Sequence, residues 1–348
     1  MRKFINRVFR EKRVSASFDS RQSTNSQPAN QSHETGAEWM YREMGSLTPD
    51  RIYHYTSSAS LISIISRHEL WLSDATFLND KEEIILGREL ARDRLQIALA
   101  EEKIPKVAEM LKRTISIFEE RLPPQVYIAC FSFEADDLSQ WRAYGGTEAP
   151  VAIEFNRSPL MLGNVVDGII DRVRYTDHDQ KACFDETVAK YISTCHRDIE
   201  AALQAKPGQL PVDVDRELPL MAANLYHDIW QQVVLCKHQA FAAEREIRYV
   251  YTDHKPVADE LLPDTYRQEV KPLFRSRAGR IVPFLKIKML PLHPPRREDE
   301  PRKLPIRSVK IGPTPEPDLI ERGVRMLLDA NGYNDVEITH SSVPFRSG

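Results

Sequence analysis

The chain has 348 residues, of which 41% are hydrophobic and 28% are charged, and these proportions predict a globular protein with a sizeable core. Its 48 basic and 51 acidic residues leave a formal net charge of −3, which excludes a general electrostatic attraction to nucleic acid or membranes. No apolar run reaches the length of about 18 residues that a bilayer span needs, and the N-terminus lacks the apolar region of a signal peptide.

The four cysteines are scattered, and none forms a C-x-x-C pair. This spacing predicts reduced thiols, a cytoplasmic location and no zinc site or other metal site.

The first 49 residues are predicted to form a largely disordered tail. Residues 1–13 are strongly basic, with Glu11 as the only acid, and residues 14–36 are rich in Ser, Asn, Gln and Thr. Such a polar stretch buries too little apolar surface to offset its ordering entropy. The basic start is either a solvated terminus or a helix that binds a membrane surface or a partner.

From residue 50 to the C-terminus, hydrophobic patterning predicts one α+β domain. Strands are predicted at 51–56, 70–72, 126–132, 151–155, 169–175, 246–252, 281–289, 306–311 and 336–339. Helices are predicted from Ser57 or Ser58 to His68, from Asp80 to about 100, before Pro123, and at 138–144, 179–204, 216–236 and 316–331.

The order of these elements indicates a mixed or antiparallel sheet with long helical insertions, the main one at about 179–236. It lacks the regular βα alternation of a doubly wound fold. No G-x-G-x-x-G or G-x-x-x-x-G-K-[ST] motif occurs, so Rossmann and P-loop folds are disfavoured.

Three predicted strands carry polar residues that suggest chemistry. In the first strand, His54 and Thr56 point to one face while Tyr53 and Tyr55 point to the other. His54 comes just before a helix start, where free backbone N–H groups could bind a phosphate or ribose. The alternative is a core histidine that packs under the helix.

The second strand ends at Ser132 and is followed by Trp141 and Tyr144, which are spaced to share one helical face. Their rings could stack on a nucleobase or nicotinamide. Aromatic pairs at this spacing also occur in cores, so the pattern allows either interpretation.

The third strand begins near Glu244-Arg245-Glu246-Ile247-Arg248. Alternation places Glu244, Glu246 and Arg248 on one face. The strand continues with apolar and aromatic residues and is predicted to be internal, where like charges are costly unless they are paired or used. An exposed edge is the alternative.

The motif order resembles an uncharacterised bacterial domain family of unknown function. The resemblance rests on the segments 53–57, 70–73, 78–80, 130–132, 237–238, 244–248, 311–313 and 342–346, together with Glu83, Trp141 and Tyr144. The layout of the family's motifs is in turn similar to that of ADP-ribosyltransferases.

That resemblance implies an ADP-ribosyltransferase-like fold and an enzyme that cleaves NAD and transfers ADP-ribose to a macromolecular acceptor, as a bacterial toxin or anti-phage defence effector. By the resemblance, Glu246 is the catalytic carboxylate, Glu244 orients the acceptor and His54 holds the ribose. The implied NAD-binding residues are His54, Tyr55, Thr56, Asn79, Ser132, Trp141, Tyr144 and Arg248.

Three alternatives remain open at this point. An NAD glycohydrolase would use the same site with water as acceptor, and a nucleotide-binding sensor would bind without turnover. A nucleic-acid binder would use the basic residues Lys271, Arg275, Arg277, Arg280, Arg296 and Arg297, which otherwise form a solvated face. The sequence names neither the acceptor nor the oligomeric state.

Overall fold

The computed structural model describes residues 50–77, 82–145, 149–160, 168–204, 213–253, 271–277, 279–289 and 303–344. All of them belong to one compact unit, Gly45–Gly348. The predicted N-terminal tail and Asn79 lie outside the described residues.

Ten strands in the described ranges form one mixed sheet. They are β1 (Arg51–Ser57), β2 (Leu70–Asp74), β3 (Val126–Ser132), β4 (Pro150–Asn156), β5 (Ile169–Arg172), β6 (Glu246–Thr252), β7 (Leu273–Arg277), β8 (Arg280–Ile287), β9 (Ile306–Ile311) and β10 (Glu337–His340). β9 and β10 pair in parallel, and the other pairings between these strands are antiparallel.

Helices cover both faces of the sheet. They are α1 (Ser58–Arg67), α2 (Glu82–Glu101), α3 (Pro105–Glu120), α4 (Leu138–Gly145), α5 (Arg157–Leu160), α6 (Asp177–Leu203), α7 (Val214–Val233) and α8 (Pro317–Ala330), with short 3₁₀ helices at Ala75–Phe77 and Gln239–Glu244. The predicted α+β class with a mixed sheet is confirmed. No helix in these ranges is both long and apolar enough to cross a membrane.

The sheet divides the core because successive side chains in a strand point to opposite faces. On one face, Val126 and Ile128 of β3 pack with the bundle of α2, α3, α6 and α7. On the other face, Ala129 and Phe131 of the same strand pack in the core that includes α1 and α8. We call these the bundle face and the α1/α8 face.

Helix α2 crosses α7 closely at Gly87. A Cβ atom added there would lie 2.3 Å from the carbonyl oxygen of Val233. Because a real side chain cannot approach backbone so closely, this crossing requires glycine.

The strands β1 and β2 lie on the same side of β3 and diverge from each other. β1 meets β3 only at Tyr53, opposite Ser132, whereas β2 pairs with the other end of β3 at Ile128 and Tyr127. On the opposite side, β6 pairs with β3 along its whole length. The end of β3 and the start of β6 therefore meet β1 at one place in the sheet.

Several boundaries differ from prediction by one to three residues, and one strand was not predicted. β5 ends at Arg172 because the Arg174 backbone N–H donates to the Leu235 carbonyl and so leaves the ladder with β6. Helix α7 ends at Val233, and a 3₁₀ helix precedes β6. β7 was not predicted, because four of its five residues are exposed and it lacks the alternation of a half-buried strand.

Candidate functional site

Three polar side chains lie side by side where β1, β3 and β6 meet. Ser132 of β3 is directly opposite Tyr53 of β1 on one side and opposite Glu246 of β6 on the other. Directly opposed residues in antiparallel strands share a sheet face. Ser132 and Glu246 therefore lie side by side on the bundle face.

Glu246 is held in a network of four charged side chains, which we call the Lys237 cluster: Lys237, Glu244, Glu246 and Arg248. The Arg248 guanidinium donates to both Glu246 carboxylate oxygens at 2.8 Å. The Lys237 ammonium lies 3.3 Å from Glu246 Oε2 and 2.6 Å from Glu244 Oε2. Two acids therefore face two bases, and the charges of the cluster balance.

Burial differs within the Lys237 cluster. Lys237, Glu246 and Arg248 are each less than 9% exposed, whereas the Glu244 side chain is 36% exposed. Arg248 also donates to the Val234 carbonyl at 2.5 Å, which connects β6 to the end of α7. Glu244 is thus the carboxylate of the cluster that solvent or a ligand can reach.

The positively charged neighbours of Glu246 keep its carboxylate ionised. Burial by itself raises the pKa of Glu246, but the charges and hydrogen bonds of Arg248 and Lys237 outweigh burial and lower the pKa to about 2. The backbone N–H of Glu246 donates to the Tyr175 hydroxyl at 2.9 Å. Burial raises the pKa of Tyr175 to about 12, so its hydroxyl stays neutral.

The low pKa of Glu246 predicts a loss of stability in acid. An acid whose pKa is lower in the folded state stabilises the fold above its unfolded pKa and loses that contribution as pH falls through the folded pKa. We expect Glu246 to contribute about 3 kcal/mol, lost between about pH 5 and pH 2. Urea denaturation at a series of pH values across this interval measures the free energy of unfolding and its slope against pH. Glu246→Gln should flatten the slope, and an unchanged slope would contradict the assignment.

Side chains of α4 and β3 hold the segment before β6 in place through hydrogen bonds. The Glu244 carbonyl accepts hydrogen bonds from the Ser132 hydroxyl and the Gln140 side-chain amide, both at 3.3 Å. Arg245 follows in the left-handed region at φ 46° and pairs with Glu134. Ser132, which is 2% exposed, therefore positions the chain at Glu244.

Two exposed aromatic rings lie beside the Lys237 cluster. Tyr144 of α4 is 44% exposed and Phe241 is 38% exposed. The Lys237 ammonium lies 5.0 Å from the centre of the Phe241 ring. Tyr144 lies one helical turn after Gln140, whose side-chain amide donates to the Glu244 carbonyl, so both side chains are on the helix face toward the cluster. The pKa of the Tyr144 hydroxyl is raised, first by burial and then by Cys130, Glu246 and Glu244. The cluster thus has partly exposed aromatic rings beside it.

Trp141 and Tyr55 belong to the core under α4. Their rings meet edge to face at 4.6 Å, and both residues are 4% exposed. The Trp141 indole N–H donates to Asp136 at 2.8 Å. A Cβ atom at Gly312 would lie 2.8 Å from the Trp141 ring, so this position admits only glycine. The prediction that Trp141 and Tyr55 contact a ligand is corrected, because packing already covers both rings.

His54 lies apart from the Lys237 cluster, and its predicted grouping with Glu246 is corrected. Its ring packs on Phe131 at 5.6 Å and its Nδ1 is 2.8 Å from the Cys130 carbonyl oxygen. Phe131 belongs to the α1/α8 core, and His54 pairs in register with Ile153 of the same core. Thr56 shares this face by alternation. Burial lowers the pKa of His54 and favours its neutral form.

Of the predicted residues, the structure thus brings together Glu244, Glu246, Arg248, Ser132 and Tyr144. It separates His54 and Thr56 from them, and Asn79 lies outside the described residues.

Sequence reasoning assigned no role to Lys237, Gln140, Tyr175 or Phe241. The sequence does contain a signal for Lys237. Two acids predicted on one buried strand face need two cations to balance their charge, and the strand itself provides only Arg248. In the described ranges, no group of three His, Cys, Asp or Glu side chains has a geometry that could hold a metal ion.

Comparison with known proteins identifies one domain and no characterised relative. No curated protein and no solved structure matches the chain, so neither comparison supports the likeness to ADP-ribosyltransferases. Residues 140–249, which contain Tyr144 and the whole Lys237 cluster, match the family described as "Protein of unknown function (DUF2971)".

Proposed function

We propose that this protein cleaves NAD at the Lys237 cluster and transfers ADP-ribose to a macromolecular acceptor. The observation that carries the proposal is one ammonium group between two carboxylates, at 2.6 and 3.3 Å, next to the exposed rings of Tyr144 and Phe241. An ionised carboxylate stabilises the positive charge that develops on the ribose when the nicotinamide–ribose bond breaks, and an exposed aromatic ring can stack on nicotinamide.

The burial of the two carboxylates assigns them different roles. Glu246 is almost fully buried, and Arg248 and Lys237 compensate its charge, so we assign it to fixing the geometry. Glu244 is more exposed. Within the described residues, Lys237 is the one hydrogen-bond partner of its carboxylate. We therefore assign the role of the carboxylate that contacts the substrate to Glu244, and not to Glu246 as the resemblance implies.

In the proposed reaction, the bond between nicotinamide and the ribose C1′ breaks, and nicotinamide leaves with the bonding electrons. The positive charge that develops on the ribose is stabilised by a carboxylate that accepts a hydrogen bond from the 2′-hydroxyl. This contact strengthens as the charge develops, so it accelerates the step. An acceptor nucleophile then attacks C1′ and releases its proton to solvent. Tyr144 or Phe241 stacks on the nicotinamide ring.

Adenylate-labelled NAD tests the proposal, with and without cell lysate, by nicotinamide release and by label transfer. We expect Glu244→Gln to lower both rates by about 10²–10³, the usual cost of losing a preorganised electrostatic group. Glu321→Gln on α8 makes the same change at a similarly exposed carboxylate and should keep both rates. The proposal fails if the wild-type protein releases no nicotinamide, or if both variants behave alike.

A second candidate function is a nucleotide-binding module without turnover. The complete pairing of Glu246 favours it, because buried ion-pair networks also serve structure alone. This module would bind NAD without releasing nicotinamide, and Glu244→Gln would change the dissociation constant. Nicotinamide release without label transfer would instead indicate a glycohydrolase.

A further inference from the structure

The β7–β8 hairpin carries an unusual concentration of positive charge. Residues 271–288 contain six lysine and arginine residues and no acid, in a chain of formal net charge −3. The two strands pair from Leu273 opposite Phe284 to Arg277 opposite Arg280, and Gly279, which precedes Arg280, has a φ of 75°. Together they form a narrow two-stranded ribbon.

Three arginines share one face of this ribbon, which we call the arginine face: Arg275, Arg277 and Arg280. Arg277 and Arg280 are directly opposite each other at the last pair before the turn, and both are exposed. Arg275 is two residues before Arg277 and therefore points to the same face. Like charges directly opposite each other destabilise a strand pair, so this arrangement has an energetic cost in the free protein.

No carboxylate in the described part of the chain offsets this charge. Lys286 on the same hairpin pairs with Glu69 at 2.9 Å, but none of the three arginines lies within 4.0 Å of a described acid. Arg275 is instead held by the Ser73 hydroxyl at 2.7 Å and by the Trp71 ring, whose centre is 5.4 Å away. Burial, and then the charge of Arg277, lower the pKa of Arg275.

Packing keeps Arg275 in a fixed position. Its guanidinium lies against the neighbouring rings of Trp71 and Phe284, at 5.4 and 5.7 Å from their centres, and these two centres are 4.4 Å apart. Its buried Nε has no hydrogen-bond partner in the described residues. A guanidinium that packing fixes in place is preorganised for an oxyanion.

We propose that the arginine face of the β7–β8 hairpin binds the phosphate backbone of double-stranded nucleic acid. The charge requires a polyanion, and guanidinium groups match phosphate oxygens with two parallel hydrogen bonds. A two-stranded ribbon fits the major groove of a duplex, where it meets phosphates on both sides. This site is separate from the Lys237 cluster and does not depend on NAD chemistry.

Salt dependence of binding tests this proposal, with a short fluorescently labelled DNA duplex, one of its single strands and a polyglutamate peptide as probes. We expect the wild-type protein to prefer the duplex and to lose affinity steeply as salt rises. Each lost phosphate contact reduces the slope of log affinity against log salt by about 0.9, so Arg277→Gln with Arg280→Gln should reduce it by about 1.8.

Two control variants isolate the effect of the hairpin. Arg277→Lys with Arg280→Lys keeps the charge and should retain most of the slope. Arg92→Gln with Arg113→Gln removes the same charge from exposed positions on α2 and α3 and should leave binding unchanged. Absence of duplex binding, equal effects of the two glutamine pairs, or tighter binding of polyglutamate than of either nucleic acid would overturn the proposal. Single-strand binding that depends on both arginines would retain the phosphate contact but overturn the preference for a duplex.

Discussion

Replacing Arg248 with methionine is expected to lower the free energy of unfolding by about 3–5 kcal/mol, because it leaves a buried carboxylate without its main partner. Arg248 makes two 2.8 Å hydrogen bonds to Glu246, and both residues are at most 6% exposed. Lys237 would remain, but it is shared with Glu244. Urea denaturation followed by circular dichroism measures the loss.

A second substitution separates loss of the charge pair from loss of packing. Adding Glu246→Gln to Arg248→Met removes the uncompensated charge, so the double variant should recover part of the lost stability. Arg113→Met breaks an exposed pair with Glu109 and should cost less than about 1 kcal/mol. If Arg248→Met costs no more than Arg113→Met, the network is not the buried ion pair described above.

Replacing Trp230 with alanine is expected to lower the free energy of unfolding by about 3–5 kcal/mol, the usual cost of truncating a buried large aromatic residue. Trp230 is 2% exposed in the helical bundle. Its ring lies 5.4 Å from Phe118 of α3 and 6.4 Å from Tyr226 of α7, measured between ring centres. The variant removes a packing contact between α3 and α7 as well as apolar area.

Leu203→Ala is the matched control for this helix bundle. Leu203 ends α6 and is 83% exposed, so its truncation should change stability by no more than about 0.5 kcal/mol. Equal midpoints for Trp230→Ala and wild type would show that the bundle does not pack as a core against the sheet.

Local patterning was sufficient to predict most of the fold. β6 is buried at all seven residues. Its sequence, in which Tyr-Val-Tyr follows Glu246 and Arg248, predicts an internal strand whose charges are paired. α3 places Val107, Met110, Leu111, Thr114 and Phe118 on its buried side, which follows from their helical spacing. The exposed strand β7 has no such periodicity and was missed.

The pairing of the strands determines which residues form the candidate site. Local patterning does not specify that pairing. Alternation correctly separated His54 from Tyr53, but the face on which Glu246 lies depends on the register of β6 with β3. That register places Glu246 on the face of Tyr53 and not on that of His54. Lys237 reaches the same place from beyond the end of α7, a contact between segments that depends on tertiary packing.

The rate of nicotinamide release from NAD by wild-type protein, Glu244→Gln and His54→Gln tests the location of the site most directly. If the Lys237 cluster acts on NAD, Glu244→Gln loses about 10²–10³ in rate while His54→Gln keeps the wild-type rate. A rate that falls with His54→Gln and survives Glu244→Gln would move the site to the α1/α8 face and contradict the assignment. A wild-type rate equal to that of a protein-free control would contradict NAD cleavage itself.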